Sequence, residues 1–216
     1  MLLSEVMRST AGVRLYQQDD VPNEVIHEVL DQARFAPSGG NRQPWRVIVV
    51  RNEDAKVRIR EISVREWFRY TQRWYGDIQS LDDTRLKKYE EGTDYHQTLD
   101  CAPIYLVFWV ELAALAVTDS DLERQSFVGG GSIYPFIQNI QLSFRDRDLG
   151  TRITTLAVAA EEEVAELLGV PDGFGLAAVM TVGKPSWTPT KLSRRPVADF
   201  AWLERFEGLP LTKTRK

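Results

Sequence analysis

Ten consecutive residues combine a sharp turn with uncharged hydrogen-bonding side chains: residues 36–45 read Ala-Pro-Ser-Gly-Gly-Asn-Arg-Gln-Pro-Trp. The proline ends the helix expected before them, and the two glycines permit backbone conformations with positive φ. Ser38, Asn41 and Gln43 then offer hydroxyl and amide groups beside the strand that follows. Such groups suit the edge of a neutral heteroaromatic ring. A structural turn capped by Asn41 explains the same residues equally well.

The rest of the chain offers little for acid–base, nucleophilic or metal chemistry. It contains two histidines, His27 and His96, and one cysteine, Cys101. No second histidine follows His27 at the spacing of a zinc-binding helix, and Ser38 lacks the Gly-x-Ser-x-Gly elbow. The three glycines at 129–131 lack the dinucleotide-binding spacing. An enzyme built on this sequence therefore needs a cofactor, and a bound flavin requires few catalytic side chains.

Composition narrows the class of protein. The 216 residues are 43% hydrophobic and 27% charged, with a net charge of -4. This length predicts a single domain over residues 1–216, and the charge excludes a protein that holds nucleic acid by neutralising phosphates. The sequence shows neither a secretory signal nor a run long enough to span a bilayer, so we expect a cytoplasmic protein without a membrane partner.

Hydrophobic spacing predicts the elements that position the turn. Helices are predicted from Val21 onward and at about 54–75, 133–144 and 161–168. Strands are predicted at 47–50, 104–110 and 176–182, and the β-branched run at 47–50 indicates a central strand. Residues 76–100, which are polar and lack a strong period, look like a surface insertion or lid, and residues 149–151 look like a tight connection. Without a regular βαβ rhythm, the order of elements favours an α+β sandwich.

Residues 36–45 closely resemble the Ala-Pro-Ser-x-x-Asn-x-Gln-Pro-Trp signature of the nitroreductase family. In that family the asparagine and its neighbours approach a flavin, so the resemblance implies that Ser38, Asn41 and Gln43 contact FMN. The resemblance runs from about Arg8 to Phe206. It is clear at 33–50 and 149–200 and poor across 65–130, where family members differ and the substrate lid usually lies.

The N-terminal segment resembles the family less completely. Arg14-Leu15-Tyr16 is similar to the end of the Arg-Arg-Ser-x-Arg-x-Phe motif, which grips the FMN phosphate and ribityl chain. The resemblance implies Arg14 as an FMN contact. Thr10 and Gly12 stand where the family has its first arginine and its serine, so FMN binding depends more heavily on Arg14 and on backbone groups.

Two later segments complete the resemblance. Residues 149–151 and the threonines after them resemble the family's Leu-Gly-Thr turn and a loop whose amides meet the pyrimidine end of the flavin, which implies Thr154, Thr155 and Leu156 as contacts. Arg194 and Arg195 match a basic position near a proline that reaches the FMN phosphate. Read alone, a helix C-cap with ordinary loop threonines and a solvated basic pair explain these residues as well.

The resemblance implies a three-layer α+β sandwich whose mostly antiparallel sheet is flanked by helices. It also implies a homodimer with FMN at the interface and a C-terminal tail, residues 196–216, that wraps over the partner. NADH or NADPH would reduce the flavin, and a small electron-poor acceptor such as a nitroaromatic or quinone would reoxidise it in a ping-pong reaction. No side chain is then expected to act as a covalent catalyst. Trp67, Phe68, Trp74 and Tyr75 are lid candidates, and we expect at least half of them to pack in the core instead.

Two alternatives remain open at this stage. The divergent lid and altered N-terminal motif also suit a specialised flavin enzyme of the same fold, such as a dehalogenase or an unsaturated-bond reductase. The departures at Thr10 and Gly12 also suit a non-enzymatic flavin-binding protein.

Overall fold

One four-stranded antiparallel sheet organises the molecule. The computed structural model describes residues 1–189 and 192–213. The strands lie in the order β1-β2-β4-β3, and each pairs antiparallel with its neighbours. Their bounds are Trp45–Val50 for β1, Ile104–Glu111 for β2, Gly150–Thr154 for β3 and Phe174–Gly183 for β4.

Within residues 1–189 and 192–213, six α-helices flank the sheet. Their bounds are Leu3–Ser9 for α1, Asn23–Ala33 for α2, Glu53–Tyr75 for α3, Asp83–Gln97 for α4, Tyr134–Asp146 for α5 and Glu161–Leu168 for α6. Side-chain caps define the starts of α3 and α4, because the carboxamide oxygen of Asn52 accepts from the Ala55 amide and the Asp82 carboxylate accepts from the Arg85 amide. Gly169, with a φ of 66°, ends α6 in the left-handed conformation.

The two central strands separate two hydrophobic cores. β2 is buried on both faces, and its residues alternate between them. Leu106 and Phe108 pack towards α2 and α5, whereas Tyr105, Val107 and Trp109 pack towards the layer of α3, α4 and α6. The result is helix on sheet on helix, which confirms the predicted α+β sandwich with its antiparallel sheet.

β1 is an edge strand, so the prediction of a central strand at 47–50 was wrong. Only β2 pairs with it, and Val49 is 37% exposed. The β-branched run therefore reflects strand propensity rather than burial on both faces. An open groove of about 770 Å³ runs beside this strand. Its apolar lining includes Ile26, Leu30, Ile48, Val49 and Leu168.

Helix α4 occupies most of residues 76–100, for which the sequence predicts a surface insertion or lid. Most of α4 is exposed, but Gly92, Tyr95 and His96 are buried against the rest of the molecule. Because these residues do not repeat at the spacing of an apolar helix face, the hydrophobic pattern of the sequence does not predict that this side of α4 is buried. Gly92 is required there because a Cβ atom would lie 2.4 Å from a ring carbon of Trp67.

Residues 149–151 do not form a tight connection or a helix C-cap. The chain reverses at Asp148, whose φ is 57°, and β3 begins at Gly150. A Cβ atom at Gly150 would lie 2.4 Å from Cγ2 of Val13. The glycine therefore lets the N-terminal segment lie against β3, where the Val13 amide donates to the Thr151 carbonyl at 2.9 Å.

The tail has little regular structure in its described part, which ends at residue 213. A single bridge joins Trp202 and Pro210, and Phe206 and Leu209 are 80% and 76% exposed. Its last three residues lie outside the described part of the chain. Among the described helices, none combines the length and the apolar character needed to cross a membrane.

Candidate functional site

The segment that first suggested chemistry forms a compact loop, which we call the amide turn (residues 38–43). Gly40, Asn41 and Gln43 have φ values of 60°, 53° and 49°, in the left-handed region. The Gln43 amide donates to Oγ of Ser38 at 3.0 Å. The side-chain nitrogen of Gln43 donates to Oδ1 of Asn41 at 3.2 Å, and both of these side chains are exposed. The turn therefore presents a pair of linked carboxamides to its surroundings.

The amide turn is anchored at both ends. At its start the Gly39 amide donates to Oγ of Ser132 at 3.0 Å. After it, Pro44 accepts from the Glu111 amide at 2.8 Å, and Trp45 stacks on Phe136 with ring centroids 4.5 Å apart. These contacts fix the turn to α5 and to the adjoining ends of β1 and β2.

The N-terminal segment lies at a different place, beside β3 and the end of β4. Gly12 bridges Thr151, and Tyr16 bridges Pro185. The Tyr16 hydroxyl lies 2.8 Å from Oγ1 of Thr181, and burial raises the pKa of this phenol above its usual value. Arg14 extends from this segment towards α4.

Arg14 is held by a surface ion pair. Its Nη1 lies 2.9 Å from Oε2 of Glu91 on α4, and both side chains are 44% exposed. A pair this exposed contributes little stability, so Arg14 remains available to another anion.

The predicted threonines occupy the end of β3. Thr154 is the last strand residue and is buried, Thr155 is exposed, and a short 3-10 helix begins at Leu156. The Leu156 amide is 3.4 Å from Oγ1 of Thr154, which is a long hydrogen bond. The Leu156 amide is therefore only weakly satisfied by the chain itself.

Arg194 and Arg195 are exposed. Nη1 of Arg194 donates to the Ser193 carbonyl at 2.7 Å, and neither arginine forms an ion pair within the described residues.

The structure does not bring all the predicted residues together within one chain. Trp45, just after the amide turn, pairs with Val110, which pairs with Gly175 near the start of β4. Tyr16 lies beside Pro185, beyond the other end of β4. β4 has ten residues, so the two groups are about 30 Å apart along the sheet.

Sequence reasoning identified Arg14 but missed the polar residues around it at the inner side of α4; we call the whole group the arginine pocket (Arg14, Tyr95, His96 and Arg152). The guanidinium carbon of Arg152 lies 3.4 Å from the centroid of the Tyr95 ring. Nδ1 of His96 and the Tyr95 hydroxyl are buried without a hydrogen-bond partner. Burial, followed by the charge of Arg152, lowers the pKa of His96 to about 4. The sequence feature that could have indicated this group is the single arginine in the Thr-Arg-Ile-Thr segment of β3.

The lid candidates have different environments. Trp67 is 9% exposed; its Nε1 donates to Oγ1 of Thr93 at 2.9 Å and its ring stacks on His96. Trp67 is therefore a packing residue. Phe68 and Trp74 are 38% and 65% exposed, and Tyr75 is partly exposed. Among the described residues, no group of histidine, cysteine and carboxylate side chains is arranged to hold a metal ion.

Known proteins resemble this chain in sequence and in fold. Iodotyrosine deiodinase 1 of Rattus norvegicus is 28% identical over 192 residues, which cover 84% of this chain and 61% of that protein. A putative NAD(P)H nitroreductase of Bacillus subtilis is 23% identical over 198 residues, which cover 92% of each protein. The chain thus spans about three fifths of the length of the deiodinase.

Solved structures agree with this fold. A crystal structure of oxidised iodotyrosine deiodinase bound to FMN and 3-iodo-L-tyrosine superposes with a TM-score of 0.70 and 24% identity, over 91% of this chain and 96% of that one. The nitroreductase family model matches residues 7–184. Together with the three-layer sandwich and the amide turn, this match shows that the chain belongs to the nitroreductase family.

Proposed function

We propose that this protein is an FMN-dependent oxidoreductase that passes reducing equivalents from NADH or NADPH to a small electron-poor acceptor. The observation that carries the proposal is the separation of the amide turn from Arg14, which lie at opposite ends of one sheet, with Thr154 opposite Val179 between them. Two such groups form one site when two copies of the chain associate, with the amide turn of one copy facing the β3 edge of the other. This arrangement supports a homodimer with two FMN sites at its interface.

The side chains present fit the chemical groups of FMN. Arg194 and Arg195 form no ion pair within the described residues, and Arg14 is held only by an exposed pair with Glu91, which suits the phosphate and the ribityl chain. Thr154, Thr155 and Leu156 lie together at the end of β3, where the Leu156 amide makes only a long hydrogen bond, which suits the pyrimidine end of the ring. The exposed carboxamides of Asn41 and Gln43, with the hydroxyl of Ser38, suit the ring's polar edge.

The bound flavin would supply hydride acceptance from the nicotinamide and electron donation to the acceptor, in a ping-pong sequence. The chain's own residues would position and tune it rather than form covalent intermediates. His96 is unprotonated at pH 7 because its pKa is about 4, and it is buried on the inner side of α4, so it does not serve as a general acid at neutral pH.

The exposed tail and the exposed sheet edge support the dimer. β1 offers unpaired backbone groups and the partly exposed Val49 beside an apolar groove. Phe206 and Leu209 in the tail are too exposed for a monomer in water. We therefore propose that the tail of a second copy fills the groove, and removing residues 196–216 should yield monomers in analytical ultracentrifugation.

A reductive dehalogenase is the second candidate. It is supported by the similarity to iodotyrosine deiodinases, one of which is described with FMN and 3-iodo-L-tyrosine bound. Halide release from a halophenol at the expense of reduced flavin would favour this reading, and reduction of nitroaromatics and quinones alone would favour the first. An unsaturated-bond reductase would be recognised by the same panel, and a non-enzymatic flavin-binding protein would turn over none of it.

We further propose that residues 1–216 act as a single domain in the cytoplasm. The two cores share strands β1, β2 and β4, and the one cysteine, Cys101, is free and exposed. Limited proteolysis that yields two stable folded fragments would contradict the single domain.

The primary test is an absorbance spectrum after incubation with FMN and desalting, followed by NADH or NADPH under nitrogen. We expect a retained flavin spectrum that bleaches with one of the two nucleotides. Retention without bleaching would indicate a binding protein or a different reductant. A colourless protein would overturn the proposed function and leave the family membership intact.

A further inference from the structure

Arg152 is a partly buried cation without a counter-ion. It lies in the middle of β3, and none of its side-chain nitrogens forms a hydrogen bond or ion pair within the described part of the chain. Burial lowers the pKa of this guanidinium, as expected for a charge removed from water without a carboxylate to stabilise it. A buried charge is costly unless something pairs with it, so Arg152 requires an explanation.

The surroundings of Arg152 keep its charge uncompensated. Its guanidinium stacks on the ring of Tyr95, which contributes no negative charge. The nearby carboxylate, Glu91, is already paired with Arg14 at 2.9 Å. Arg14, Arg152 and Glu91 together therefore leave one net positive charge beneath α4.

Arg152 points to the same side as the proposed flavin contacts. Residues two apart in a strand share a face, so Arg152 and Thr154 face the same layer, about 7 Å apart. On the other side, Cγ of Arg152 lies 3.7 Å from the position that a Cβ atom of Gly12 would take. The missing side chain at Gly12 thus leaves room for the arginine beside the N-terminal segment.

We propose that Arg152 is the electrostatic partner of the flavin ring, and that it stabilises the negative charge that the pyrimidine end gains when FMN is reduced. This inference rests on the proposed function, because it needs FMN to lie against Thr154 and Leu156. A partly buried charge acts more strongly than a surface charge, since little water screens it. Arg152 therefore raises the reduction potential of the bound flavin, and binds reduced FMN more tightly than oxidised FMN.

The test is the midpoint potential of the flavin in the reconstituted protein, measured by anaerobic dye-linked titration. For Arg152→Gln we expect reduced FMN to lose about tenfold more affinity than oxidised FMN, which corresponds to a midpoint about 30 mV lower. Arg152→Lys keeps the charge and should stay near the wild-type potential. Arg147→Gln is the matched control, because Arg147 is similarly buried but is paired with Glu28 at the far side of α5.

Two results would overturn the inference. One is an unchanged midpoint potential in Arg152→Gln. The other is a loss of FMN affinity in that variant with no loss of riboflavin affinity, which would assign Arg152 to the phosphate instead. Should the glutamine variant fail to fold, Arg152→Met keeps an apolar stem against Tyr95 and carries the same measurement. Failure of the proposed function has a different signature, since wild-type protein would then retain no FMN at all.

Discussion

The amide turn and the arginine pocket are the two halves of the proposed site, and they differ in how far contacts within the chain satisfy their polar groups. The turn is one contiguous segment whose hydrogen bonds are made internally or to Ser132, and it carries its polar side chains outward. The pocket is assembled from residues of the N-terminal segment, α4 and β3, and it retains a positive charge that no ion pair among the described residues neutralises. The turn is therefore preorganised without a ligand, whereas the pocket is completed electrostatically only by an anion.

The largest expected effect comes from blocking the assembly of the pocket. Gly150→Ala would place a Cβ atom 2.4 Å from Val13 and displace the N-terminal segment from β3. Overpacking of this kind costs about 3 kcal/mol, so thermal unfolding should shift downward by about 6–12 °C. Gly131→Ala is the control, since its Cβ would meet nothing within 4 Å. Equal melting temperatures for the two variants would show that the N-terminal segment accommodates the added methyl group without loss of stability.

Lowering the pH should destabilise the arginine pocket and leave the amide turn unaffected. The pKa of His96 is about 4 in the folded protein and about 6.5 when unfolded, so the unfolded state binds more protons between these values. Stability is therefore lost as the pH falls through this window, by about 2 kcal/mol at pH 5. The measurement is urea unfolding at pH 7 and pH 5 for wild type and His96→Gln, with the exposed His27→Gln as control. If His96→Gln loses as much stability on acidification as wild type does, this histidine is not the cause.

Removing the Asn41 carboxamide should leave the stability of the amide turn almost unchanged and weaken the binding of FMN. Asn41→Gly suits the φ of 53° and removes the carboxamide. We expect stability within about 0.5 kcal/mol of wild type and an FMN affinity about tenfold weaker, the size of a lost hydrogen bond. Fluorescence titration with FMN, alongside thermal unfolding, separates the two quantities. An unchanged affinity would make the turn purely structural.

The smallest effect is expected at the exposed edge of the pocket. Arg14→Gln removes a surface ion pair and should change stability by less than about 1 kcal/mol, while weakening FMN binding by about fivefold. Glu91→Gln removes the same pair but frees Arg14, so it should strengthen FMN binding slightly. FMN titrations of both variants at low and high salt provide the check. A weakening of equal size in both variants would mean that the ion pair, rather than Arg14 itself, supports the site.

The same contrast explains what could be predicted from the sequence. The amide turn and the elements around it follow from local patterns, and helix 161–168 and the strands near 104–110 and 176–182 lie where hydrophobic spacing placed them. The edge position of β1 and the buried end of α4 depend on which segments meet in space. The role of Arg152 could not be predicted for the same reason. Its neighbours Tyr95 and Gly12 are distant in sequence, and only the fold places them around it.

The pairing of the N-terminal segment has a consequence for the order of folding. Residues 12–17 are synthesised early, yet their backbone partners are Thr151 and residues 184–186, near the other end of the described chain. Contacts this distant in sequence form late, after the loop between them has been closed by the rest of the sheet. The N-terminal segment therefore completes its pairing only after residue 186 has emerged from the ribosome, so the proposed FMN site would form in the last stage of folding.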